Sequence, residues 1–84
     1  MQIVRELDVV EVNNDLHPTR RVIIVEREDG FYAYAEQYHF VSEYDGKIVA
    51  EGWGTLPGEG IYAELHDAEI EGRAAFARRH GVSY

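Results

Sequence analysis

The stretch EDGFYAYAEQYHFVSEYDGK, Glu28 to Lys47, decides how this 84-residue chain folds. It opens and closes on Asp-Gly, a dipeptide that tolerates the two positive φ angles of a tight type I′ hairpin turn. Between the turns, Gly30 to Phe40 holds five of the chain's ten aromatic residues. A run of strand formers bounded by two hairpin turns reads as the middle strand of an antiparallel meander. The middle strand is expected over residues 31–43, with partners at 20–28 (RRVIIVERE) and 47–53 (KIVAEGW).

Working outward, IVRELDVVEV (3–12) is rich in β-branched residues and reads as a further strand, separated by the turn-forming loop NNDLHPT. After Trp53 comes GTLPGEG, a glycine-rich connection without a dinucleotide or P-loop pattern: position 57 is proline where a third glycine would be needed, and no Lys-Ser/Thr follows. From about Ala63 to His80 there is no turn former. Leu65, Ala68, Gly72, Ala75 and Phe76 form one helical stripe, acids crowd the first half, and Arg73, Arg78, Arg79 and His80 lie in the second, with Gly81 as a cap. The expected fold is a single small α+β domain over 1–84, an antiparallel three- to four-stranded β-meander with one C-terminal α-helix packed on one face.

Two-residue turns would also set the register. With Asp29-Gly30 and Asp45-Gly46 central, Val25 faces Tyr34, Arg21 faces Tyr38, Arg27 faces Tyr32 and Tyr38 faces Trp53. One face then carries Ile23, Val25, Tyr32, Tyr34, Tyr38, Phe40, Val49 and Trp53, with Arg21, Arg27, Glu36 and Glu51 among them. The other carries Val22, Ile24, Phe31, Ala33, Ala35, Val41, Ile48 and Ala50, with Gln37 and His39. The helix stripe is poor in volume, so it is expected over the tyrosines, where small residues complement large rings. The smaller face would need cover from the first strand, another subunit or solvent. An exposed apolar patch usually marks an interface, so a homodimer or a small protein partner is expected.

Sixteen acids against eight bases give a net charge of −8, and no cation lies between Lys47 and Arg73. Clustered Lys and Arg for a nucleic-acid backbone are missing, so no nucleic-acid partner is expected. The chain has no cysteine, which fits a reducing, cytoplasmic setting and excludes thiolate chemistry. MQIVRELDVVEV is interrupted by charges and reads as neither a signal peptide nor a membrane span. The seven arginines among the eight bases hint at a GC-rich bacterial genome.

Tyrosines alternating with arginines could bind a flat ligand by stacking and cation–π contact, but they equally suit a core whose hydroxyls reach the rim. Arg21, Arg27, Tyr32, Tyr34, Tyr38, His39 and Trp53 are therefore the candidate interaction or ligand surface. His66 and Glu69 share a helix face, but metal sites of that type need ligands from other helices, so no metal or cofactor is expected. Ser42, Ser83, Thr19 and Thr55 fall in no nucleophile motif, and His39 near Glu43 is the one combination worth an enzyme screen; an enzyme is not expected. The reading is a protein-interaction or accessory domain acting through a sheet face or its acidic helix, with a small-ligand binder as the alternative.

The run from Arg20 to Phe76 resembles small uncharacterised bacterial domains, which share an Asp-Gly hairpin, a Trp-bearing strand, a Gly-Ile-Tyr entry and an Ala/Glu/Arg helix. VEREDGFYAYAE also resembles the first hairpin of HicB-type antitoxin domains, which would imply a small toxin as partner. Three departures stand against that likeness: the tail after the helix is too short for the family's last strand and DNA-binding module, an N-terminal strand is added, and a second Asp-Gly hairpin follows the third strand.

Overall fold

The computed structural model describes every residue from Met1 to Tyr84. Strands β1 (Gln2–Glu6), β2 (Val10–Glu11), β3 (Thr19–Glu26), β4 (Tyr32–Tyr44), β5 (Lys47–Thr55) and β6 (Glu59–Tyr62) precede one helix, α1 (Leu65–His80). They form one curled antiparallel sheet in the order β1-β3-β4-β5, with β2 beside β3 and β6 beside β4. The α+β class is as expected, but the sheet has six strands rather than three or four.

Two differences come from segments that looked continuous or irregular. The expected strand 3–12 divides into β1 and β2, and β1 carries its own irregularity between Ile3 and Arg5. The glycine-rich connection contains β6, which takes up the edge of β4 that β5 leaves at Thr55. Gly60 lies there at φ +89, with the Tyr62 ring where its side chain would be.

The larger correction is register. At the first hairpin Arg27 N–H donates to Phe31 C=O at 2.7 Å and Gly30 N–H to Arg27 C=O at 3.0 Å. The loop therefore has three residues, Glu28 to Gly30, of which only Gly30 has positive φ. Asp29 instead turns its carboxylate back to accept from Phe31 N–H at 3.1 Å, the side-chain turn that competes with type I′ geometry. That backbone donor, with Arg27, holds the Asp29 carboxyl below its usual range. Val25 consequently faces Ala33, and Ile24 faces Tyr34.

At the second hairpin Asp45 and Gly46 do adopt positive φ, +54 and +76. A β-bulge then intervenes: Glu43 faces Ile48 but Ser42 faces Ala50, leaving Val49 without an opposite residue. Beyond it His39 faces Trp53, and Tyr38 faces Gly54.

Each one-residue shift moves side chains to the other face. Val22 and Ile24 join Tyr32, Tyr34 and Glu36, while Ile23, Val25 and Trp53 join Ala33, Ala35 and His39. The expected placement of Ile23, Val25 and Trp53 with the tyrosines is thus reversed.

Helix α1 does lie over the tyrosine face. Its buried residues are Ala68, Gly72 and Phe76, which pack with Leu7, Val12, Val22 and Ile24 into the main core. The backbones approach closely at Gly72, where a β-carbon would sit 2.9 Å from Tyr34 Cβ and 3.2 Å from Val22 Cγ1. Gly81 caps the helix at φ +65, its N–H donating to Ala77 C=O, as its position suggested.

The chain then doubles back so that the Tyr84 ring meets Phe76 at 4.4 Å. Its hydroxyl accepts from Val22 N–H at 3.1 Å and donates to Asp8 C=O at 2.7 Å. Asp8 lies in the gap between β1 and β2, so a side-chain hydroxyl fills the interruption that divides the first strand. Burial raises the Tyr84 pKa above its ordinary 10.0.

Gly72→Val should cost about 1–3 kcal/mol by overpacking, read from urea unfolding midpoints. Tyr84→Phe should cost about 1–2 kcal/mol through its two hydrogen bonds. A raised folded-state pKa means the folded protein keeps the phenol proton after the unfolded chain has lost it. Stability should therefore fall as pH rises past about 10, and the Tyr84→Phe variant should lose less there than the wild type. Tyr34 and Tyr62, shifted in the same direction, keep part of that slope in the variant.

Candidate functional site

Charge is distributed unevenly between the inside and the outside of the molecule. Glu36 is 7% exposed on the helix face of β4. One oxygen, Oε2, meets Arg20 Nη1 at 2.6 Å and His80 Nε2 at 2.9 Å; the other, Oε1, meets only Arg79 Nη1 at 3.3 Å. Arg20 is itself buried, and its Nε donates to His17 C=O at 2.8 Å, tying the 13–18 loop to the strand. A buried carboxylate is tolerated only when paired in this way. Glu36 therefore joins loop, sheet and helix end.

Beside Glu36 a slot of about 220 Å³ opens between α1, β4 and the β5–β6 connection. Val22, Leu56, Pro57, Ala75 and Phe76 supply apolar walls, while Glu36, Glu59, Tyr34 and Arg79 supply polar atoms. Tyr34 hydroxyl donates to Glu59 at 3.0 Å; burial, then that hydrogen bond, raises the Tyr34 pKa.

The other sheet face carries no helix. Arg21 lies over the Trp53 ring at 4.1 Å, its Nε donates to Gln37 Oε1 at 2.7 Å, and it pairs with Glu6 at 2.9 Å. Gln37 in turn donates to Thr55 Oγ1 at 3.0 Å. His39 meets Trp53 edge-on at 5.2 Å. Ile23, Val25, Ala33 and Ala35 form a small second core cluster on this face, all four of them buried.

Toward one end β4 and β5 outrun β3, whose pairing with β4 stops at Tyr38. Residues 41 to 51 project as a two-stranded arm, every one of them exposed, in a molecule 47 Å long and 17 Å thin. Val41, Ile48, Val49 and Tyr44 are uncovered on it, and Ile3 and Phe31 at the other end of the open face.

The structure divides the seven candidate residues. Arg21, His39 and Trp53 meet on the open face. Tyr32 and Tyr34 lie under the helix. Tyr38 packs on His17 at 4.6 Å with Arg20 at 5.8 Å, and Arg27 is turned to Asp29. The expected pairings of Arg21 with Tyr38 and Arg27 with Tyr32 are replaced, because the register shift sets Arg21 opposite Gln37 and Arg27 opposite Phe31.

Arg20, Leu56, Phe76, Arg79 and His80 were not singled out as a group. The available signal was Glu36 itself, an acid in phase with Tyr34 and Tyr38 on a face that needed burial. No group of three potential metal ligands occurs, and no helix is long and apolar enough to cross a membrane. The chain matches no family model, no curated protein and no solved structure.

Glu36→Gln leaves Arg20 buried without its counter-charge and should cost about 3–5 kcal/mol in urea unfolding. Arg79→Gln removes a partner that is 61% exposed and should cost less than about 1 kcal/mol.

Proposed function

We propose that this chain is a small protein-interaction domain whose projecting arm docks a basic partner protein. The observation that carries this reading is the arm. An isolated two-stranded hairpin is marginal in water, and this one holds Val41, Tyr44, Ile48 and Val49 without cover from its own chain.

Charge selects the kind of partner. Arg5, Arg20, Arg21, Arg27, Arg73 and Arg79 are all engaged by just four carboxylates: Glu6, Asp29, Glu36 and Glu69. Twelve of the sixteen acids therefore have no ion-pair partner, against Lys47 and Arg78 alone among the cations. Glu43 and Glu51 flank Val41 and Ile48 on the arm. A partner with apolar side chains set among Lys and Arg matches that surface, whereas a second copy brings another net −8.

The test is affinity capture from the source cell with wild type and with Val41→Asp/Ile48→Asp, alongside light scattering of the pure protein. Support is a monomer that captures a basic protein, with capture weakening as salt rises and lost in the arm variant but retained in Arg79→Gln. A dimer that the arm variant dissociates would give the arm to a second copy instead. Capture unchanged by the arm variant would overturn the reading.

A further inference from the structure

The slot beneath α1 is independent of the open face, and its polar atoms are arranged for a ligand of a definite kind. Glu36 Oε2 is saturated by Arg20 and His80, whereas Oε1 has one long contact, 3.3 Å from Arg79. Arg79 makes no other ion pair and is 61% exposed at the slot's edge, so most of its five N–H donors are unused. A carboxylate oxygen with spare acceptor capacity thus stands next to a guanidinium with spare donors. Beside them lies the apolar part of the slot, lined by Leu56, Ala75 and Phe76.

We propose that this slot binds a free α-amino acid with an apolar side chain. The ammonium would take Glu36 Oε1, the carboxylate would take Arg79, and the side chain would occupy the apolar end. A plain carboxylic acid would satisfy Arg79 but set its charge against Glu36 and Glu59. A plain amine would satisfy Glu36 but crowd Arg79. Only a zwitterion answers both groups: the ammonium meets the buried Glu36 Oε1, and the carboxylate meets the exposed Arg79 guanidinium at the slot's edge. The volume, about 220 Å³, falls below the usual ~300 Å³ or more of drug-sized sites and suits one small molecule. The close approach at Gly72 contributes to the same geometry, since Gly72 is part of the slot wall.

Three ligands with one branched alkyl body separate the possibilities: L-leucine, 4-methylpentanoate without the ammonium, and 3-methylbutylamine without the carboxylate. Each is titrated into the ¹⁵N-labelled protein at millimolar concentration and followed by amide shifts of Gly72, Ala75, Arg79 and Leu56. L-leucine should give saturable shifts there, and each half-ligand should bind on the order of tenfold more weakly or worse. Arg79→Gln should lose the L-leucine response while keeping a dispersed spectrum. Ala75→Leu, which fills the slot from the helix, should lose it too. Absence of a saturable response to L-leucine would overturn the proposal. So would equal binding of either half-ligand, or an unchanged response in both variants.

Discussion

The register of β4 against its two neighbours is the constraint on which the remaining geometry rests. A strand's side chains alternate, so a single-residue step decides which set enters the core. Here two local devices set that step. On one side a three-residue loop lets Gly30 alone take the positive φ while Asp29 caps Phe31. On the other, the bulge at Val49 offsets an otherwise regular Asp45-Gly46 turn. Together they place Val22 and Ile24 under the helix with Tyr34, and leave Trp53 and His39 on the face without the helix.

The consequences reach the helix and the charges. With Val22 and Tyr34 side by side, the helix can close on the sheet only through a residue without a side chain, and Gly72 supplies it. The same alternation turns Glu36 inward, where it would be intolerable alone. Arg20, two residues from Val22 on the same face, answers it across the strand pair, and Arg79 and His80 answer it from the last turn of the helix. Six of the eight cations are thereby engaged by four carboxylates, Arg20 and Arg21 from well-buried positions, and twelve acids are left without an ion-pair partner. The slot and the arm arise from these same facts: one where helix and sheet part beside Glu36, the other where β4 and β5 extend past β3.

Much of this was legible in the sequence at the level of elements. Both hairpins, the helix with its Gly81 cap and the seating of its small residues against the tyrosines follow from composition and spacing. What was not legible was the offset. Asp-Gly is compatible with both a two-residue type I′ turn and a three-residue loop, and only tertiary context chooses between them. A bulge at Val49 has no residue signature, since valine is an ordinary strand former. The Glu36 cluster was half visible: its own face was assigned correctly, but its partner Arg20 changes face with the register, and the helix end reaches it only in three dimensions. The division of the first strand depends on a hydroxyl 76 residues away, Tyr84 to Asp8, which no local window contains.

A single NOESY spectrum of the labelled protein tests the register directly. Contacts from the Val22 methyls to the Gly72 α-protons, together with contacts between the Trp53 indole and the His39 ring, are the expected result. Contacts from the Ile23 or Val25 methyls to Gly72, with the Trp53 indole against Tyr38, would contradict it and exchange the two faces of the sheet.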